Sequence, residues 1–514
     1  MKKITLFYLF ILPVICCFGQ DHYWSQQYGG HAILMGGTAV VGKTDNSALY
    51  YNPGAMGFID SARITATSFV YGFEFTRLKN GSGTGRDLKS LRVNVIPQLL
   101  AGGINIKKVP RLKFILGTFT RGRTNTRYIQ ENEGFYNAIP GSPGDERYQA
   151  RVEFFSGSIE QWAGFGLAYR INQNWSVGAA SFGAYTHMEV RSTQNNNADA
   201  LNGSVPYTAS VNEYNSMILN QISQVFKVGV SAHFKHVQLG AALTTPGIKV
   251  WGQGKLEKTL EVHNLNIMAT DSTIAAQQHD SYLIADIQRN LKTNYHIPLS
   301  ASLGIKLVYP AFSLALSAEY FMGSKNHIIL QGADRAVVRP TSFYGGDTVP
   351  GFLKLQTSIS AVINAGFGAE VRVTPTVNAL FGARTDFSNQ AEYLPNNFML
   401  NIPSAKSPRW DYLYLSTGFS YKLPLHNLTV GFDYGIGFAR NKKQIFNTSE
   451  PDQQNYLRGQ LKDNMRTSVH RLNFILSYTY FFTKKESQHG PISFIRELQR
   501  TKKAKKQKDA VKKK

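Results

Sequence analysis

The stretch Gly37-Thr38-Ala39-Val40-Val41-Gly42-Lys43-Thr44 fits G-x-x-x-x-G-K-[ST], a loop whose backbone N–H groups cradle phosphate between a buried strand and a helix. Here the chain runs on into Tyr51-Asn52-Pro53-Gly54, so any helix is very short. The segment also follows an export signal, away from ATP, and tight backbone packing is the simpler role for these glycines. Twelve histidines are scattered, and His233 and His236 lie three apart near a turn. On a strand they would point to opposite faces, a poor metal pair. The chain has no His-Glu-x-x-His and no Gly-x-Ser-x-Gly. Its two cysteines, Cys16 and Cys17, both fall in the export signal. The mature chain is therefore expected to hold no thiol, disulfide or Cys-ligated metal. Ser, His and Asp could meet only from distant strands, with nothing local to mark them. The chain reads as no enzyme, with no catalytic residue, cofactor or metal site.

What must position the remaining polar residues is a series of amphipathic strands. From Leu428 to Phe438, Leu428, Val430, Phe432, Tyr434, Ile436 and Phe438 share one face; Thr429, Gly431, Asp433, Gly435 and Gly437 share the other. The alternation recurs at 299–309, 359–373, 377–387 and 472–482. Strands are expected near 61–77, 89–107, 111–129, 147–170, 174–192, 223–235, 237–252, 295–309, 311–328, 354–373, 376–389, 410–423, 427–441 and 466–482. The joins alternate: three residues at Lys108-Val109-Pro110, one at Pro310 and two at Thr374-Pro375, against long stretches at 193–222, 253–294 and 442–465. Short turns on one side and long loops on the other, with an even strand number, characterise transmembrane barrels. A soluble sandwich has no reason to alternate so strictly. If the apolar sets face lipid, Lys306, Glu319, Glu370, Arg372, Arg384, Asp386 and Asp433 point into the lumen. There they would pair with one another in a polar interior, or an Arg would hold a carboxylate head group.

Composition agrees. Charged residues are 17%, aromatics 12%, and glycines number 45; a soluble domain usually carries about 25% charge. Mean hydropathy is −0.23 and no long apolar run follows residue 20, which excludes a helical membrane protein. Residues 1–20 read as a secretory signal: Lys2 and Lys3, then the apolar run Ile4 to Cys17, then Gly19 and Gln20. A lipoprotein anchor at Cys16 or Cys17 is disfavoured, because Ile15 or Cys16 stands where a small residue would precede it. The net charge is +23, and residues 484–514 hold twelve Lys/Arg against three acids. Nucleic acid is not an expected partner of an exported chain. The basic tail is expected to be solvated and dispensable for barrel formation, or a periplasmic tether to an anionic envelope polymer.

Between the signal and the first strand, Asp45-Asn46-Ser47-Ala48-Leu49-Tyr50-Tyr51-Asn52-Pro53-Gly54-Ala55-Met56-Gly57-Phe58 resembles the N-terminal hatch of the FadL/TodX/OmpP1 family. Gly54 stands where that family's Asn-Pro-Ala motif has Ala. The resemblance implies an all-β, fourteen-stranded transmembrane barrel with residues 21–59 as a plug, 60–483 as the barrel and 484–514 as a periplasmic tail. It implies a monomer in the outer membrane, both termini periplasmic, carrying a hydrophobic, fatty-acid-like ligand. It also implies lateral exit beside the third strand, here near 111–129, where Gly117 and Gly122 are candidate kinks. Asn52-Pro53-Gly54 would be the hatch's turning point, with Gly54 taking a conformation a Cβ resists and Pro53 mattering most. A closed apolar pocket above residues 45–58 would favour a ligand; a polar lumen would not. The alternative is a barrel that serves as a docking partner in protein export.

Overall fold

The computed structural model describes residues 22–482 apart from 43–44, 61, 106–107, 140–141, 203–205, 266–280, 340–349 and 390–408. The expected signal with Cys16 and Cys17, Lys43 and Thr44 at the end of the phosphate-loop-like stretch, and the expected basic tail lie outside the described residues.

Fourteen antiparallel strands form one closed sheet. They are β1 Arg63–Lys79, β2 Leu88–Asn105, β3 Leu112–Tyr136, β4 Glu146–Arg170, β5 Trp175–Ala200 and β6 Tyr207–His233. Four interrupted strands follow: β7 (Val237–Thr244 and Ile248–His263), β8 (Tyr282–Leu291 and Ser300–Val308), β9 (Phe312–Phe321 and Ser324–Gln331) and β10 (Lys354–Ile359 and Val362–Arg372). The last are β11 Val377–Asp386, β12 Asp411–Lys422, β13 His426–Lys442 and β14 Met465–Phe481. Pairing of β1 with β14, from Arg63↔Phe481 to Lys79↔Arg466, closes the circuit.

The outer wall carries the predicted apolar stripes. Val430, Phe432 and Phe438 are exposed on β13, and Leu303 and Ile305 on β8. In water such a surface is costly; against hydrocarbon it is not. The strands that sequence reading cut short run on. β5 and β6 are 26 and 27 residues long and pair throughout, where 193–222 reads as a loop. Likewise β7 continues to His263 and β8 begins at Tyr282. A strand needs only about 9–11 residues to cross a bilayer. Beyond that height both faces are polar, as in Ser192-Thr193-Gln194-Asn195, so alternation fades while the backbone ladder continues.

Residues 22–59 fill the lower lumen and contact the wall on nearly every side. Two short helices, α1 Gly30–Leu34 and α2 Ala48–Tyr51, and a 3-10 turn Pro53–Phe58 make up the segment. Room for it comes from glycine pairs set directly opposite one another across the sheet: Gly178↔Gly229, Gly240↔Gly304, Gly368↔Gly382 and Gly418↔Gly431. A Cβ on Gly368 would lie 2.5 Å from the Met35 carbonyl, and one on Gly418 2.6 Å from Leu34. On Gly178 it would overlap the Pro53 carbonyl group. The upper mouth is closed by a fold-back of the join between β13 and β14. The Tyr148 hydroxyl donates to the Leu457 carbonyl at 3.0 Å, and Gln453 N–H to the Ala138 carbonyl at 2.8 Å. Tyr456, Leu457 and Phe446 complete an apolar cluster there with Tyr128, Val152 and Leu219.

Candidate functional site

The N-terminal segment is held by polar anchors rather than by grease alone. Asn52 is fully buried. Its Nδ2 donates to the Val40 and Val230 carbonyls, both at 2.9 Å, and its Oδ1 accepts from Gly54 N–H at 2.9 Å. One side chain therefore ties two parts of the segment to β6. Pro53 opens the 3-10 turn, where its fixed φ suits the first position and no N–H is missed. Gly54 does not occupy the left-handed region. Glycine is needed there because a Cβ would sit 2.7 Å from the Gly229 carbonyl oxygen. Close approach, not backbone freedom, is its role.

At the other end, Trp24 N–H and Ser25 Oγ donate to Asp386 at 3.0 and 2.7 Å, and Trp24 Nε1 donates to Glu319 at 2.9 Å. Arg384 donates to the Trp24 carbonyl at 3.2 Å and grips Asp433 through two bonds of 2.6 and 2.9 Å. His31 lies 3.2 Å from Glu370, which Lys306 and Lys422 also approach at 3.5 Å. Burial pushes the Tyr51 phenol well above its ordinary pKa, so it stays protonated and donates to Gln27 at 2.7 Å. Six of the seven charges assigned to the lumen are thus engaged with the segment or with each other. Arg372 differs: it ends its strand at the short-turn side and is exposed. His233 stacks on Phe58 at 3.8 Å, and among the described residues no cluster could hold a metal.

Beside this plug the wall is split. β2 and β3 pair only from Leu99↔Phe119 to Asn105↔Lys113. Above that point, among the described residues, β2 pairs only with β1 and β3 only with β4. Pro97 explains where the ladder stops. It has no N–H to offer, and its carbonyl is turned toward β3, where Thr120 Oγ1 donates at 2.8 Å. A second side chain, Arg123, reaches the Val95 carbonyl at 3.3 Å. Two side-chain hydrogen bonds thus replace a backbone ladder. On its other edge β3 shifts register against β4 between Thr120 and Gly122, a bulge. Phe119, Thr120 and Arg121 are consequently all buried, which breaks the in–out alternation. Gly122 adjoins this irregularity; Gly117 sits in regular pairing with Gly164.

A cavity of about 110 Å³ lies behind the split, between plug and upper closure. Most of its charged lining is paired, Arg121 with Glu160 at 2.8 Å and Glu74 with Arg92 and Arg471, whereas Arg123, among the described residues, reaches only the Val95 carbonyl. Trp162 Nε1 also donates to Glu160 at 2.7 Å. Tyr23, Trp410, Tyr412, Ile159 and Met188 give the lining apolar and aromatic surface, and Thr126, Ser156 and Ser158 give hydroxyls. The lumen is neither the closed apolar pocket nor the plain polar channel considered from sequence. Pro97, Thr120, Arg121 and Arg123 were missed there, although a proline inside a strand flanked on both sides was the available signal.

No protein-family model and no curated protein matches this chain. Its structure is similar to that of a Pseudomonas aeruginosa FadL homologue, at 16% identity and TM-score 0.52, covering 91% of this chain and 100% of that one. It is also similar to the Ralstonia pickettii toluene transporter TbuX, at 14% identity and TM-score 0.50, covering 89% and 99%. The chain therefore has the fold of the FadL-type barrels.

Proposed function

We propose that this chain is an outer-membrane barrel that moves hydrophobic small molecules, with residues 22–59 as its hatch and the split between β2 and β3 as its lateral exit. The observation that carries this reading is the loss of β2–β3 pairing above Leu99 and Phe119, directly beside the cavity. A wall opening at hydrocarbon height connects the lumen to lipid rather than to water, which suits an apolar cargo. Pairing of Arg121, Glu160, Glu74, Arg92 and Arg471 lessens the cost of seating an apolar cargo, while Arg123 and the hydroxyls fit a polar end group. Fold likeness to a FadL homologue and to a toluene transporter supports the same direction.

The test is uptake of a labelled long-chain fatty acid and of labelled toluene into proteoliposomes, parent against Pro97→Val. Valine restores an N–H toward β3 and suits a strand. The expected result is parent uptake above protein-free vesicles, with slower uptake and stronger amide-exchange protection around residue 97 in the variant. A parent that moves neither probe leaves residues 22–59 as structural filler and favours the export-docking reading.

A further inference from the structure

On the outer wall at the long-loop end, four adjacent strands bring cations together. Arg440 on β13, Arg466 on β14, Lys79 on β1 and Lys89 on β2 are all exposed. The register sets Lys79 directly opposite Arg466, and Arg77 directly opposite Lys89. Like charges directly opposite in a sheet destabilise it. Asp87 forms an ion pair with Arg77 at 2.7 Å and attracts Lys89 at longer range. Among the described residues no carboxylate stands within ion-pair distance of the other four.

The same height on β3 and β4 is built differently. There Arg127 meets Glu153 at 2.9 Å, Arg151 meets Glu131 at 3.3 Å and Arg147 meets Glu133 at 2.6 Å. The cationic rim is therefore local, not a property of the whole barrel end. Immediately below it on the same faces lie Phe75, Leu91 and Phe438, all exposed. Level with Phe75, its register partner, the His470 ring is hydrogen-bonded to Tyr434 at 2.8 Å and to Ser468 at 3.2 Å.

Charge above hydrocarbon on one contiguous face is the complement of a phosphorylated lipid: phosphates against the cations, acyl chains against the rings. We propose that Arg440, Arg466, Lys79 and Lys89 form a binding site for a phosphorylated glycolipid of the surrounding leaflet. The bound anion would relieve the repulsion that the register imposes. This inference rests on the barrel being membrane-embedded, as proposed above, and not on what it transports.

Native mass spectrometry of the delipidated full chain in nonionic detergent tests it, with diphosphorylated lipid A and its dephosphorylated form as probes. The parent is expected to retain the phosphorylated form selectively. Lys79→Gln/Arg440→Gln/Arg466→Gln should bind it roughly tenfold more weakly or worse. Arg127→Gln/Arg147→Gln/Arg151→Gln, which strips the paired ladder, should bind like the parent. Equal retention of both probes by the parent overturns the proposal even if the rim variant fails to fold. Parent-like retention by a folded, heat-modifiable rim variant overturns it too. Uptake plays no part in either outcome, so failure of the transport reading would be seen separately.

Discussion

Gly178→Val is expected to drive residues 22–59 out of the lumen while the barrel still forms. The added side chain meets the Pro53 carbonyl group, backbone that cannot swing aside. Overpacking of this kind typically costs about 1–3 kcal/mol and more where nothing can yield. Valine itself favours a strand, so the strain falls on docking of the plug rather than on the sheet. Gly183→Val is the control: it lies on the same strand facing outward, with only the Ala163 carbonyl near, at 3.9 Å. Amide exchange across residues 22–59 should be faster in Gly178→Val than in the parent or Gly183→Val, with a heat-modifiable barrel in all three. Exchange of these amides in Gly178→Val as slow as in the parent would show that the glycine pairs are not what seats the plug.

Asn52→Ala comes second in expected effect. It deletes two buried hydrogen bonds and a part-buried one, and takes a partner from the Gly54 N–H and from the Val40 and Val230 carbonyls. Orphaned buried groups cost about 1–3 kcal/mol each. Even about 3 kcal/mol in total shifts the docked-to-undocked ratio roughly a hundredfold. Faster exchange of hatch amides and altered fatty-acid uptake should follow, with an unchanged heat-modifiable barrel. Pro53→Ala should do less, the reverse of the order expected from sequence. Pro53 only presets φ at the first position of the turn, an effect of about 0.4–1 kcal/mol. Parent-like exchange in Asn52→Ala would show that the hatch is held elsewhere, for instance at Asp386 and Glu319.

The barrel was legible because membrane strands write their period into the sequence: the Leu428 to Phe438 stripe and the alternating joins needed no partner to be seen. The inward charges were legible by the same rule, although their pairing was not: Arg384 on β11 reaches Asp433 on β13 across the intervening β12. The glycine pairs were not. Gly178 and Gly229 are 51 positions apart, and only the register shows that they face each other. The extended β5 and β6 escaped because polar ladders carry no alternation. Arg121 escaped because a bulge resets the phase that pattern reading depends on. Pro97 was readable in principle, as the one residue in β2 that cannot serve a neighbour on both sides.

The most direct test of the central claim is to clamp the split and measure uptake. Both natural cysteines fall in the stretch expected to be an export signal, so cysteines introduced at Val95 and Asn125 are expected to be the sole thiols of the mature chain. Both positions are exposed on the strands that border the split. Bridging them with a short bismaleimide should abolish uptake of a labelled long-chain fatty acid into proteoliposomes. The unbridged double variant, and one modified by a monofunctional maleimide, should transport like the parent. Undiminished uptake through the bridged barrel would contradict lateral exit between β2 and β3 and place the path elsewhere.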